Sequence, residues 1–341
     1  MRRSSVFFWV ILVSFFATCI FATTSAAQDK SVQLKFATFF PPTHKLAVVT
    51  DEWCKEVEKR TEGRVKARQY PGATLSPPAQ TYDGVVQGIV DVGNIVLGYT
   101  MGKFPLTEVL DYPLGYPNAD VPTRLANEYF KKFRPKEFEE VQVMYFHGQV
   151  PGILHSKKPV NKLEDLKGMK MRTFGTNAEF MKLLGGVPVA MPMTDAYDAI
   201  SKGVADGLFC PYEALEGFKL GEVIKYTTEN YKSAYTAIFV VAMNKKKWSS
   251  IKPEDQKIIE KINEEWIDRQ IKVWTQINES GKAFSLARGN KVIKLSAEED
   301  ARWAAKAQPL FDAYVKKMKE KGLPGEEVLK FARDFIKKNT K

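Results

Sequence analysis

An arginine at the end of a predicted strand offers binding chemistry. Arg172 follows Met169-Lys170-Met171, a segment in which apolar and polar residues alternate. A guanidinium keeps its charge at any working pH and presents two parallel donors to a carboxylate. Buried in a cleft, it would be costly without an anion, which a ligand would supply. The alternative is a structural salt bridge, for example to Glu164 or Asp195.

Other candidate contacts lie in loops that follow predicted strands. Phe39 and Phe174 could stack on a planar ligand, or they could pack in the core. His44 could donate a hydrogen bond to a ligand oxygen, or it could only begin the next helix. The further candidate substrate-binding residues near strand ends are Tyr99, Gln149, Cys210, Tyr212 and Glu213.

A weak internal duplication positions these candidates. Residues 34–39 resemble residues 169–174, and each segment predicts a strand that ends in Thr-Phe. Residues 82–91 resemble residues 197–206, with the shared pattern Y-D-x-(V/I)-x-x-G-(I/V)-x-D. Each repeat predicts strand, helix, strand, helix and strand in turn. That alternation favours a parallel sheet with helices on its faces.

Catalytic and metal-binding patterns are missing from the sequence. The chain has 3 histidines and contains no H-E-x-x-H, G-x-S-x-G or phosphate-binding glycine-rich motif. Asp91 and Asp206 resemble a carboxylate pair, but the duplication explains them as equivalent strand-start residues. Gln149 with Glu213 would give a hard cation too few oxygen ligands. We therefore expect neither catalysis nor a metal ion or other cofactor; a secreted α/β enzyme is the alternative of a different class.

The predicted fold is α/β with two lobes, a periplasmic-binding-protein-like (Venus flytrap) architecture. One lobe comprises residues 28–149 plus about 238–277, and the other comprises residues 150–237 plus about 278–341. Pro253 opens a predicted helix of about 28 residues, about 42 Å long, which would span both lobes. Ligands bind at the carboxyl ends of strands in such sheets. Facing lobes therefore form a cleft, which closes by a hinge around its ligand.

The first residues predict export. Two arginines precede an apolar run over residues 6–21 and small residues over 22–27. This pattern is typical of a secretory signal peptide, residues 1–27, cleaved near Ala26 or Ala27; a membrane anchor is the alternative. Cleavage changes the net charge from +11 to 11 − 2 = +9. The export signal predicts a periplasmic protein. Because the basic residues are mixed with acidic ones and no nucleic-acid motif occurs, we expect that it binds no nucleic acid.

Four segments resemble the solute-binding proteins of tripartite ATP-independent periplasmic (TRAP) transporters, and the resemblance covers almost the whole mature chain. They are Lys158-Pro159-Val160, Asp165-Leu166-Lys167-Gly168-Met169-Lys170-Met171-Arg172, Gly203-Val204-Ala205-Asp206-Gly207 and Leu220-Gly221-Glu222-Val223-Ile224-Lys225-Tyr226. The resemblance implies a receptor that captures a small organic acid and delivers it to integral membrane permease subunits driven by an ion gradient. It also implies that Arg172 binds the substrate carboxylate. We expect a monomer.

Two positions depart from the pattern of this family. Many members carry a second arginine at the place that falls near Gly152 here, and many have asparagine where Cys210 precedes Pro211. Both changes make the predicted site less polar and roomier. They favour a monocarboxylate with an apolar or aromatic body over a C4-dicarboxylate, which is the alternative ligand. An extracytoplasmic ligand sensor is a further alternative function.

Overall fold

Two β-sheets organise the computed structural model, which describes residues 31–340. The strands are β1 (Val32–Ala37), β2 (Val65–Tyr70), β3 (Val92–Val96), β4 (Val141–Gly148), β5 (Ile153–Ser156), β6 (Lys170–Thr173), β7 (Val187–Ala190), β8 (Gly207–Cys210), β9 (Tyr226–Glu229), β10 (Ile238–Asn244) and β11 (Lys291–Lys294). The helices are α1 (Lys45–Arg60), α2 (Thr81–Gln87), α3 (Asp120–Phe133), α4 (Asn177–Leu183), α5 (Ala196–Ser201), α6 (Glu213–Gly217), α7 (Lys245–Ser249), α8 (Pro253–Ala287), α9 (Ala297–Ala305), α10 (Gln308–Glu320) and α11 (Gly325–Asn339). None of the helices in this range is both long and apolar enough to cross a bilayer. The predicted signal peptide lies outside the described residues.

The two predicted repeats fold alike. The first sheet has the order β2-β1-β3-β10-β4, and the second has the order β11-β9-β5-β8-β6-β7. In each sheet the first strand of the repeat, β1 or β6, lies between two parallel partners. We call the first sheet, with the helices that pack on it, the first lobe. The second sheet, with its helices, is the second lobe. A glycine with positive φ, 77° at Gly88 and 74° at Gly203, follows the helix that leads into β3 or β8.

The paired aspartates of the repeat have equivalent structural roles. The Asp91 carboxylate accepts a hydrogen bond from the backbone N–H of Lys35 at 2.8 Å. The Asp206 carboxylate accepts one from the backbone N–H of Lys170 at 2.9 Å. Each carboxylate therefore ties the start of one parallel strand to its neighbour.

Both sheets are mixed rather than purely parallel. Strand β10 runs antiparallel to β3 and β4, and β5 runs antiparallel to β8 and β9. The reason is that the chain crosses between the lobes at 149–152 and again at 230–237. The two crossing segments are bonded to each other, because the N–H of Gln149 donates to the Ala237 carbonyl at 3.1 Å and the N–H of Gly152 donates to the Tyr235 carbonyl at 2.9 Å. This paired connection lies where the predicted hinge would be.

Helix α8 contacts both lobes, as the sequence predicts, and it is longer than predicted. Its 35 residues span about 52 Å. Near its amino end, the indole N–H of Trp266 donates to the Val49 carbonyl of α1 at 3.1 Å. Near its carboxyl end, Gly281 lies so close to the Tyr212 carbonyl beside α6 that no larger side chain would fit. The helix therefore braces the hinge.

The predicted assignment of residues 278–341 to the second lobe is wrong for the last two helices. Helix α9 contacts the second lobe, where Arg302 pairs with Glu164 at 2.6 Å. Helices α10 and α11 pack instead on the first lobe, and the Tyr314 hydroxyl of α10 donates to the Leu106 carbonyl at 2.8 Å. The amphipathic pattern predicts that these helices are half-buried, but it does not specify which surface they cover.

Burial keeps two histidines, His147 and His155, neutral. Nδ1 of His147 accepts the indole N–H of Trp274 at 3.0 Å, so its proton lies on Nε2, facing Asn94. Nε2 of His155 donates to the Cys210 carbonyl at 3.1 Å. Burial lowers the pKa of both imidazoles to about 3. Protonation of either ring would break a hydrogen bond or place an unsolvated charge in the core.

We predict a pH-dependent stability difference between the wild type and His155→Gln. The unfolded chain protonates this imidazole below about pH 6.5, whereas the folded chain does so only near pH 3. The wild type therefore loses stability as pH falls, by about 1 kcal/mol per pH unit more than the variant between about pH 6 and about pH 5. Urea unfolding of both proteins measures this. A difference that is constant with pH would contradict a neutral buried His155.

Candidate functional site

The carboxyl ends of parallel strands from both lobes face one another, as the sequence predicts. Phe39 follows β1, Tyr99 follows β3, and Phe174 follows β6. The ring centroids of Tyr99 lie 5.9 Å from Phe39 and 5.4 Å from Phe174. The structure therefore brings three of the predicted residues together, beside Arg172.

Arg172 is a fully buried guanidinium with no counter-charge. Its Nε donates to the Met191 carbonyl at 3.0 Å, and its Nη2 donates to the Tyr99 hydroxyl at 3.4 Å. Its guanidinium carbon lies 5.3 Å from the centroid of the Phe174 ring. Nη1 is buried and has no hydrogen-bond partner among residues 31–340. A buried charge without a partner normally costs several kcal/mol, and a bound anion would lower that cost.

The structural salt bridge considered for Arg172 does not form. Glu164 pairs with Arg302 at 2.6 Å. Asp195 accepts a hydrogen bond from the Thr194 hydroxyl at 3.0 Å. Neither carboxylate is within ion-pair distance of Arg172, and neither is any other carboxylate in the part of the chain that the structure describes.

Aromatic rings from both lobes pack together next to Arg172. This aromatic cluster consists of Phe39, Phe40, Tyr99, Phe174, Phe218, Tyr235 and Phe239. Phe39 of the first lobe stacks on Phe218 of the second at 6.3 Å, and Phe174 meets Tyr235 edge-on at 5.7 Å. The flat faces of these rings could stack on an aromatic ligand. The role of Phe39 and Phe174 in such stacking stays a prediction.

His44 both begins a helix and bonds to the opposite lobe. Its Nδ1 accepts the N–H of Leu46 at 3.2 Å and caps α1. The proton must therefore lie on Nε2, which donates to the Glu213 carboxylate at 2.9 Å. Both side chains are buried. Gly217 lies directly against the imidazole, and a Cβ there would overlap it. This hydrogen bond exists only when the lobes are in contact.

Tyr99 and Gly98 supply the other close contacts between the lobes. The Tyr99 hydroxyl accepts the N–H of Met193 at 3.0 Å. A Cβ at Gly98 would lie 2.8 Å from the ring of Phe174, and one at Gly175 would lie 3.0 Å from the Gly98 carbonyl oxygen. The absence of a side chain at Gly98 and Gly175 therefore allows this approach, and the two lobes are in direct contact across the cleft.

Several buried polar atoms near the strand ends have no hydrogen-bond partner among residues 31–340. They include Nε2 of Gln149, the hydroxyl oxygens of Thr38 and Thr173, and both side-chain polar atoms of Asn177. Buried polar groups are normally paired. Thr38 adjoins Phe39, and Thr173 adjoins Arg172, so these atoms lie beside predicted site residues. Sequence reasoning missed Thr38, Thr173 and Asn177, because polar residues after strands are common.

Tyr212 has its hydroxyl committed elsewhere. It donates to Glu229 at 3.1 Å, and Glu229 also pairs with Lys282 at 2.7 Å. The ammonium of Lys282 lies 5.0 Å from the centroid of the Tyr212 ring. A ligand contact of Tyr212 stays a prediction, and the committed hydroxyl leaves the ring as the group that could make it.

Cys210 is a buried neutral thiol. Burial raises the pKa of Cys210 well above its usual value, Glu213 adds to the rise, and Arg172 opposes it. The residue thus lies close enough to Arg172 to share its electrostatic field. It adds neither charge nor a strong hydrogen-bonding group. A thiol here is therefore less polar than the asparagine that many family members carry.

No cluster suited to a metal ion forms among residues 31–340. Glu213 is bonded to His44, and Gln149 lies in the first crossing segment, where its carbonyl accepts from the Thr236 hydroxyl at 2.9 Å.

Comparison with known proteins identifies the family. Residues 36–318 match the sequence model of bacterial extracellular solute-binding protein, family 7 (DctP). The chain belongs to this family of TRAP solute-binding proteins. It is therefore a transport receptor and not an enzyme. The family is extracytoplasmic, and the signal peptide stays a prediction because it lies outside the described residues.

Similar solved structures share the two-lobe fold. A TRAP solute-binding protein from Rhodoferax ferrireducens T118, in complex with copurified benzoate, is 32% identical, with a TM-score of 0.85 over 90% of this chain and 98% of that one. A marine metagenome TRAP solute-binding protein with 3-hydroxybenzoate is 30% identical, with a TM-score of 0.86 over 91% of this chain and 99% of that one. A Comamonas testosteroni protein named outer membrane transporter protein TsaT is 27% identical over 93% of this chain and 95% of its own length.

Glu213→Ala should shift this TRAP receptor towards its open arrangement. The variant leaves the Nε2–H of His44 buried without an acceptor when the lobes close, which costs about 1–3 kcal/mol. The equilibrium constant for closure should fall about tenfold, because water satisfies His44 when the cleft opens. Spin labels at Lys55 and Lys202, both exposed and in different lobes, report the distance between lobes.

Glu216→Ala is the matched control for this experiment. Glu216 lies on the same helix, but it bonds to the exposed Ser280 hydroxyl instead of His44. The control should keep the wild-type distance distribution. An unchanged distribution in Glu213→Ala would contradict a role for this hydrogen bond in closure.

Proposed function

We propose that this receptor captures an aromatic monocarboxylate and delivers it to the membrane permease subunits of a TRAP transporter. The observation that carries the proposal is the buried Arg172 guanidinium, unpaired at Nη1 and in contact with the aromatic cluster. The guanidinium supplies the charge for a carboxylate, and the cluster supplies apolar faces for a ring. One site therefore recognises both ends of such a ligand.

The charge of the cleft favours one carboxylate over two. Arg172 is the one buried Arg or Lys side chain among residues 31–340. His44 is already bonded to the Leu46 N–H and to the Glu213 carboxylate. Position 152 is glycine, and Cys210 is a neutral thiol. A second carboxylate would enter this site without a cation to pair with it, and its desolvation would be uncompensated.

Similar proteins support the ligand class. Two of the solved TRAP receptors that are at least 30% identical hold benzoate and 3-hydroxybenzoate. A third, from Bordetella bronchiseptica and 27% identical, holds mandelate. All three ligands are aromatic acids with one carboxylate, which is the chemistry that Arg172 and the aromatic cluster can accommodate.

Capture is a shift of population from open to closed. A carboxylate that pairs with Arg172 compensates the buried charge only when the second lobe closes against the first. The His44–Glu213 and Tyr99–Met193 hydrogen bonds then form across the cleft. The permease would receive the closed form, so ligand binding and docking are coupled through one hinge.

Arg172→Ala should abolish the binding of benzoate while the fold survives. The ligand carboxylate would be desolvated without a partner, a loss of about 3–5 kcal/mol, or at least about 100-fold in affinity. Isothermal titration calorimetry measures the affinity, and thermal melting checks the fold. Arg302→Ala removes a half-exposed guanidinium from the same lobe and should bind like the wild type. Unchanged affinity in Arg172→Ala would refute the assignment.

A thermal-shift panel should rank aromatic monocarboxylates above C4-dicarboxylates. Benzoate, 3-hydroxybenzoate and mandelate are expected to raise the melting temperature, because ligands that bind only the folded state stabilise it. Succinate and malate are expected to raise it less, because the site has one buried cation. A larger shift with the dicarboxylates would overturn the proposed ligand class and leave the transport role intact.

A further inference from the structure

Tyr235 belongs to the hinge and to the ligand site at once. It lies in the second crossing segment, between β9 and β10. Its carbonyl accepts the N–H of Gly152 in the first crossing segment at 2.9 Å. The backbone of Tyr235 is therefore fixed by the connection about which the lobes move.

The Tyr235 ring occupies the space directly over Gly152. A Cβ at position 152 would overlap several atoms of this ring, so only glycine is compatible with it. The φ angle of Gly152 is not in the positive region, and the requirement is purely one of close approach. The ring and the glycine form a matched pair.

Contacts on its other sides hold the Tyr235 ring in place. Its hydroxyl donates to the Phe209 carbonyl of β8 at 3.1 Å, and its ring lies edge-on to the rings of Phe174 and Phe209 at 5.7 and 6.2 Å. Only 2% of the residue is exposed. A ring with its hydroxyl paired and both edges packed cannot move aside for a ligand without losing these contacts.

Tyr235 adjoins the guanidinium that is proposed to bind the ligand. Arg172 and Tyr235 pack on the same ring, since Phe174 lies 5.3 Å from the guanidinium and 5.7 Å from the tyrosine ring. Burial raises the pKa of Tyr235 far above its usual value, and the charge of Arg172 partly opposes the rise. The phenol is thus neutral and lies within the field of Arg172.

We propose that Tyr235, held against Gly152, is a specificity-determining residue that closes the hinge side of the ligand site. Its neutral, fixed ring limits the size of the acid that Arg172 can bind and excludes a second negative charge from that side. This inference rests on the proposed function. It adds that ligand selectivity depends on the space occupied by the Tyr235 ring as well as on the number of buried cations.

Tyr235→Ala should widen the range of ligands. Calorimetry with benzoate, 1-naphthoate and isophthalate compares a small acid, a bulky acid and an aromatic dicarboxylate. The wild type should prefer benzoate. In the variant, the preference for benzoate over each of the other two acids should fall at least about tenfold. Tyr235→Phe is the matched control, because it keeps the ring and removes only the hydroxyl, and it should keep the wild-type preference.

Position 152 gives a second, independent readout. Gly152→Ala should lower the melting temperature and weaken benzoate binding in the wild type, because the new methyl group displaces the Tyr235 ring. The same substitution in the Tyr235→Ala background should have little effect. Tyr235→Leu is measured in parallel because it keeps apolar bulk in the hinge if the alanine variant does not fold.

The outcomes separate this inference from the proposed function. A wild type that binds none of the three acids overturns both. A wild type that prefers benzoate, with folded Tyr235→Ala or Tyr235→Leu variants that keep the same preference, overturns the inference alone. An equal effect of Gly152→Ala in both backgrounds would also overturn it.

Discussion

The structure depends on one buried positive charge. Arg172 is held in the closed cleft by a carbonyl, a hydroxyl and an aromatic face, none of which carries a full negative charge. Burial of an uncompensated guanidinium opposes closure, and an anion that reaches it reverses the balance. Under the proposed function, the same residue would favour an open receptor without ligand and a closed receptor around an acid.

The rest of the fold places that charge between the two lobes. Arg172 lies at the carboxyl end of a central parallel strand, where the backbone is rigid, and Tyr99 reaches it from the opposite lobe. The paired crossing segments and helix α8 connect the two lobes. Glycines at 98, 175 and 217 allow the lobes to approach to backbone distance. Residues that are far apart in the chain therefore come into contact where the lobes meet.

Sequence patterns predict the local parts of this account and miss the non-local parts. Alternation and duplication predict β1, β6 and the strand-end position of Arg172, because these signals lie within short segments. The His44–Glu213 hydrogen bond joins residues 169 positions apart, and no local pattern encodes it. The same holds for the pairing of Tyr235 with Gly152, for the antiparallel strands β5 and β10, and for the placement of α10 and α11. Tyr235 carries no signal beyond its position before an apolar strand.

A crystal structure of the receptor with benzoate would test most directly where the ligand carboxylate binds. We expect the carboxylate oxygens at about 2.7–2.9 Å from the Arg172 guanidinium nitrogens, including Nη1, with the benzoate ring against the aromatic cluster. A carboxylate bound elsewhere in the cleft, with Nη1 of Arg172 still unpaired, would contradict it.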